Sequence, residues 1–146
     1  MAQERKNTLC KEERLHGRNA VENLFKKAGS RSMVSFPLRV VYAINEAEEE
    51  RDTRVRMLVS VPKKHFKRAV KRNRVKRQVR EAYRKHKHTL CDAVAAMPAA
   101  CLDMAFVWLD DELHSSADVE KRVARLLQRV EEKISRDEEA VAEEHK

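Results

Sequence analysis

From Lys63 to Lys87 the chain runs 25 residues without a proline or glycine, and thirteen of them are Lys or Arg against one acid, Glu81. Few structures accept such a segment. Buried, it would strand a dozen charges; as a strand, it would set like charges side by side. As a helix from about Phe66 to Leu90, it lines up Val75, Val79, Ala82, Tyr83 and the ring edge of His86 on one stripe. Arg72, Asn73, Lys76, Arg77, Arg80 and Arg84 then fill an arc of roughly 140° beside that stripe. One side packs and its neighbour is a cationic ridge, so the rest of the chain must supply the apolar surface. The whole chain carries a formal +8, less than this block alone, and the remainder is net acidic. A solvated helix face interleaves both signs, as the segment near the C-terminus does; a concentrated block is a footprint for a polyanion. Nucleic acid fits better than a membrane, because the ridge lacks a wide Leu, Phe and Trp face.

At 146 residues the chain is sized for one domain. With 38% charged and 5% aromatic residues, its core must be mostly aliphatic. No run approaches the roughly 18 apolar residues of a membrane helix. Polar Met1 to Asn7 leads into no apolar stretch, so no secretory signal and a cytoplasmic location are expected. Cys10, Cys91 and Cys101 are odd in number and far apart, which suits reduced thiols better than a disulfide frame or zinc site. Gly17 and Gly29 are the only glycines, too few for a phosphate-cradling loop.

Residues 1–14 read as a mobile arm, 15–134 as a single α+β domain and 135–146 as an acidic, fraying tail. A first helix is predicted over Gly17 to Ala28, with Val21, Leu24, Phe25 and Ala28 on one face and Gly29 at the cap. Met33 to Ile44 reads as one strand burying Phe36, Leu38, Val40, Tyr42 and Ile44, and Asn45 to Asp52 as a polar connection. Thr53 to Val61, ended by Pro62, reads as a second strand antiparallel to the first. After the basic helix, residues 91–101 suggest a short helix or its continuation. Leu102 to Leu109 reads as a buried strand. Ser115 or Ser116 caps a last helix with an apolar stripe of Val119, Val123, Leu126, Leu127, Val130 and Ile134. Fraying is expected from Glu131. The order predicts helices packed against one small sheet.

No catalytic constellation is legible. His86 and His88 point to different helix faces, and no carboxylate or cysteine pattern completes a ligand set. Asp110, Asp111 and Glu112 are adjacent, which suits a turn rather than carboxylates converging on metal ions. The residues alone describe a nucleic-acid binder; a general basic RNA-binding module, ribosome- or nucleoid-associated, is the alternative to an enzyme subunit.

Ser60-Val61-Pro62-Lys63-Lys64, then Ala69 through Arg77 with Arg72-Asn73-Arg74 at its centre, then Arg80-Glu81-Ala82-Tyr83-Arg84, closely resemble the bacterial ribonuclease P protein-subunit family. The resemblance covers roughly residues 12–132. It implies an accessory subunit of a ribonucleoprotein endoribonuclease. A catalytic RNA subunit removes the 5′ leader of precursor tRNA by phosphodiester hydrolysis, using Mg²⁺ held mainly by that RNA and the substrate. The partners implied are that RNA and the precursor tRNA, with no membrane, no small-molecule substrate and no catalytic or metal site on the protein. It also implies a left-handed crossover between parallel strands and an extra short strand, for which Ser30 to Met33 is the place.

Carried over position by position, Arg72, Asn73, Arg74, Lys76, Arg77 and Arg80 match the RNA-facing helix, and Lys63 and Lys64 the pair that approaches it. Arg68 and Arg84 extend the same surface. Phe25 matches an aromatic of the leader cleft, although its spacing also suits the core. Arg39, Arg56 and Ser60 fall on the cleft side of the strands, with Lys76 and Arg80 beside them. Two places depart from the pattern: Val21 and Arg39 stand where the family commonly has aromatics. Leader binding is therefore expected to lean on charge more than on base stacking.

Overall fold

A computed structural model describes Leu24, Lys26 and residues 30–46, 55–96 and 100–144. Arg31–Ser35 (β1), Leu38–Glu46 (β2), Val55–Ser60 (β3) and Ala100–Trp108 (β4) form one sheet in the order β1-β2-β4-β3. Ala69–His86 (α1), His88–Ala95 (α2) and Ser116–Glu144 (α3) are the helices. β1 and β2 form an antiparallel hairpin, β2 and β4 are antiparallel, and β3 runs parallel to β4. Parallel neighbours need a crossover, and α1 with α2 supplies it between β3 and β4.

Alternation along the strands decides what each face does. Leu38, Val40, Tyr42, Val55, Met57, Val59, Leu102, Met104, Phe106 and Trp108 face the helices. They close on Val75, Val79, Ala82 and Tyr83 of α1, Leu90 and Val94 of α2, and the α3 stripe from Val119 to Ile134. On the opposite face a smaller cluster joins Leu24 to Val41, Ala43 and Ala105, with Leu58 packed beside it. Leu24 and Lys26 are helical; the rest of the predicted 17–28 helix, and the 1–14 arm, lie outside the described residues.

The single strand expected over Met33 to Ile44 is two strands. Pro37 has no N–H for a ladder, so the chain turns at Phe36–Pro37, a cis peptide bond. The Pro37 carbonyl accepts the Leu109 N–H at 2.8 Å, tying this turn to the end of β4. Phe36 is consequently 55% exposed rather than buried with Leu38, and Ile44 is also exposed. The Val34 carbonyl accepts a 3.3 Å bond from Arg129 Nη1 of α3. The expected antiparallel pairing of the Met33–Ile44 and Thr53–Val61 segments is also corrected, because β4 lies between them. Its residues bury both faces: Leu102, Met104, Phe106 and Trp108 on one, Cys101 and Ala105 on the other. Such a strand is worth most at the centre of a sheet.

α1 begins at Ala69 rather than Phe66, which is a buried plug in the preceding loop. Lys87 interrupts the helix for one residue while keeping right-handed helical angles, and its carbonyl accepts the Cys91 N–H at 2.9 Å. α2 thus nearly continues the rod. Ser115 is the cap of α3, its Oγ accepting the Asp118 N–H at 3.2 Å. α3 runs on to Glu144, beyond the fraying point expected at Glu131.

Candidate nucleic-acid interface

The basic surface is built on a loop and a helix. β3 ends at Ser60, and the His65 N–H donates to the Pro62 carbonyl at 3.1 Å, closing a turn that presents Lys63 and Lys64 to solvent. Phe66 anchors this loop in the core, while Lys67 and Arg68 are exposed. In α1, Val75, Gln78, Val79, Ala82 and Tyr83 are buried. Lys71, Asn73, Arg74 and Arg77 are exposed, and Arg72, Lys76, Arg80 and Arg84 are half-buried along the flanks. The first turn of α1 holds no acid. Cations therefore stand at the helix N-terminus, where the helix dipole favours anions instead.

Arg72 and Arg84 are among the cations engaged within the protein. Arg72 Nη1 donates to the carbonyls of Phe66 at 2.7 Å and Lys67 at 2.8 Å. Arg84 pairs with Glu81, its Nε donating to Oε2 at 3.1 Å. That hydrogen bond holds the Glu81 carboxyl below its ordinary range and raises Arg84. The ridge is therefore strongest at its N-terminal end and partly neutralised near Arg84.

α1 is seated by polar contacts as well as apolar ones. Gln78 Nε2 donates to the His114 carbonyl and to Ser116 Oγ, both at 3.1 Å, joining α1 to the start of α3. Tyr83 meets Phe106 edge-on, with ring centroids 6.4 Å apart. Around the β4–α3 turn, Asp110 and Asp111, two of the three adjacent acids, hold histidines. Asp111 Oδ1 lies 2.6 Å from His65 Nδ1. Asp110 lies 2.7 Å from His114 Nε2, and Asp118 2.9 Å from its Nδ1. The bond from Asp110, helped by Asp118, lifts the His114 imidazole above its ordinary value despite the burial that opposes charge. The same contact holds the Asp110 carboxyl down. The His114 ring also stands edge-on to Trp108 at 5.4 Å. These acids fasten a turn; among the described residues no group of three or more His, Cys, Asp or Glu is placed to hold a metal ion.

On the sheet face away from α1, register aligns Arg39 with Val107 and Val107 with Ser60. Arg39 and Ser60 thus share a row, two strand spacings or about 10 Å apart. Ala43, Asp103 and Arg56 form another row. Arg39 Nη2 donates to Ser32 Oγ at 3.1 Å. Arg56 grips Asp103 with two bonds, Nε to Oδ1 at 3.0 Å and Nη2 to Oδ2 at 3.1 Å. A bidentate pair of this kind fixes orientation, and Arg56 brings little net charge to the face. The structure thus gathers Arg39, Arg56 and Ser60 on one face, whereas Lys76 and Arg80 belong to α1, which packs on the other. Phe25 lies outside the described residues. Sequence reasoning missed Asp103; its signal was a lone acid in an apolar run, out of phase with Leu102 and Met104.

Residues 9–131 match the family model described as Ribonuclease P. The chain is similar to the ribonuclease P protein component of Porphyromonas gingivalis, 43% identical over 122 residues, covering 84% of this chain and 85% of that one. It is similar to the counterpart of Chlorobaculum tepidum, 40% identical over 95 residues, covering 65% of this chain and 61% of the relative. In fold it resembles a Staphylococcus aureus RNase P protein mutant, with a TM-score of 0.60, 19% identity, and 82% and 89% of the two chains covered. It also resembles the Thermotoga maritima RNase P protein, with a TM-score of 0.58, 23% identity, and 80% and 96% covered. With its basic loop and helix on the matching fold and most of its length aligned, the chain belongs to the ribonuclease P protein family.

Proposed function

We propose that the loop 63–68 and the exposed edge of α1 bind the catalytic RNA subunit, while the sheet face of Arg39, Arg56 and Ser60 receives the 5′ leader of precursor tRNA. As a ribonuclease P protein component, the chain serves the 5′ processing of tRNA, and its general chemistry is that of an endoribonuclease subunit. The observation that carries the assignment of surfaces is the run of exposed Lys63, Lys64, Lys67, Arg68, Lys71, Arg74 and Arg77 around a helix start without acids. Cations so placed neutralise phosphates and release counterions. The second surface suits unpaired nucleotides: Arg39, Val107 and Ser60, all half-buried, share a row that offers a cation and an apolar side chain, and Asp103 orients Arg56. Hydrolysis is assigned to the RNA subunit, with Mg²⁺ held by that RNA and the substrate, in the cytoplasm. The side chains described here bind and orient.

The experiment compares precursor and mature tRNA binding to the holoenzyme with wild-type protein and with Arg39→Ala. The expected result is a loss of about fivefold for the precursor, near 1 kcal/mol, and no change for mature tRNA. Equal losses for both substrates would contradict a leader-binding face.

A further inference from the structure

The stretch between β3 and α1 lacks regular structure, yet it is held from several sides. Phe66 is sunk in the core at 5% exposure. The His65 backbone closes on Pro62, and its imidazole is bonded to Asp111 in the turn after β4. The remaining hold comes from α1: two consecutive carbonyls, those of Phe66 and Lys67, converge on Arg72 Nη1 at 2.7 and 2.8 Å. A guanidinium only donates and is always charged, so these bonds are charge-assisted at any working pH. Facing outward from the same few residues are Lys63, Lys64, Lys67 and Arg68, all exposed.

This arrangement gives the arginines of the Arg72-Asn73-Arg74 box different tasks. Arg74 is exposed, placed to meet a phosphate directly. Arg72 is half-buried and turned back onto the loop. Building on the RNA-facing reading above, we infer that Arg72 is a positioning residue, whose guanidinium clamps the loop so that its four cations meet the RNA as one fixed set. A loop ordered beforehand loses less conformational freedom on binding, and its cations keep a common register with the phosphates. Lysine would not replace Arg72. It keeps the charge but ends in a compact, strongly hydrated ammonium without the planar fork.

The test uses the full chain with Arg72→Lys, Arg125→Lys and Lys64→Ala, and a bacterial ribonuclease P RNA transcript as the probe; Arg125 is exposed on α3, away from the loop. In the free protein, amide hydrogen exchange across residues 64–68 should quicken roughly tenfold or more in Arg72→Lys. It should stay unchanged in Arg125→Lys, with both melting temperatures near wild type. RNA affinity should fall about fivefold or more in Arg72→Lys although the net charge is conserved, and hold in Arg125→Lys. Lys64→Ala should cost less in the Arg72→Lys background than in wild type, because the clamp that makes Lys64 effective is already gone. Unchanged exchange with wild-type affinity in Arg72→Lys, or strictly additive losses with Lys64→Ala, would overturn the positioning role. Quickened exchange while no variant alters RNA affinity would instead overturn the RNA-facing assignment of the loop.

Discussion

Replacing Lys63, Lys64, Arg68 and Arg74 together by alanine is expected to lower affinity for the RNA subunit by on the order of a hundred- to a thousandfold at physiological salt. All four side chains are exposed, and they sit on the loop and first turns of α1, where no acid offsets them. Each phosphate neutralised contributes about 0.7 to 0.9 to the slope of log affinity against log salt, so the slope should flatten by about 3. The fold should survive, since substitutions of exposed side chains without buried partners usually stay within about 0.5 kcal/mol each. The control removes Lys121, Arg125 and Lys133, exposed cations of α3 that lie among acids. Filter binding over a salt series separates the cases. Matched losses from both sets would mean that only bulk charge counts and that the loop and helix are not a defined surface.

The second large effect concerns stability. Phe106→Ala should cost about 3–5 kcal/mol, because Phe106 is fully buried in the central strand and packs edge-on with Tyr83. For a domain of this size each kcal/mol shifts the melting temperature by about 2–4 °C, so a fall of roughly 10–15 °C is expected. Phe36→Ala, by contrast, should move it by less than about 2 °C, as that ring is 55% exposed at the hairpin turn. Thermal unfolding followed by circular dichroism decides between them. Similar shifts in the two variants would contradict the split of the Met33–Ile44 segment into a hairpin and restore Phe36 to the core.

What could be read from the sequence, and what could not, follows the range of the forces involved. The ridge on α1 was legible because its charges and its apolar stripe repeat at one helical period. The β2 alternation of Leu38, Val40 and Tyr42 and the α3 stripe were legible for the same reason. Strand order was not. β4 enters between β2 and β3 through pairings far apart in sequence, and the antiparallel expectation rested only on their being neighbours in the chain. The turn at Phe36–Pro37 was available in Pro37 itself, whose missing N–H cannot serve an inner ladder. The ion pairs were the least legible part. Arg56 and Asp103 meet only because the parallel register sets them side by side, and Asp111 reaches His65 only because the ends of β3 and β4 coincide. Arg72 looked like one more cation of the ridge, and only the loop carbonyls in front of it show where its guanidinium is committed.

On the proposed function, this chain serves tRNA 5′ processing by binding and orienting RNA, and an RNA partner performs the hydrolysis. The most direct measurement follows precursor tRNA cleavage in Mg²⁺ with the protein alone, with a bacterial ribonuclease P RNA alone at limiting concentration, and with both. This division of labour predicts no cleavage by rigorously RNA-free protein and accurate cleavage at the mature 5′ end, strongly enhanced, when both are present. Cleavage at that site by the RNA-free protein, resistant to inhibitors of contaminating ribonucleases, would contradict it, and so would a protein that leaves the RNA's activity unchanged.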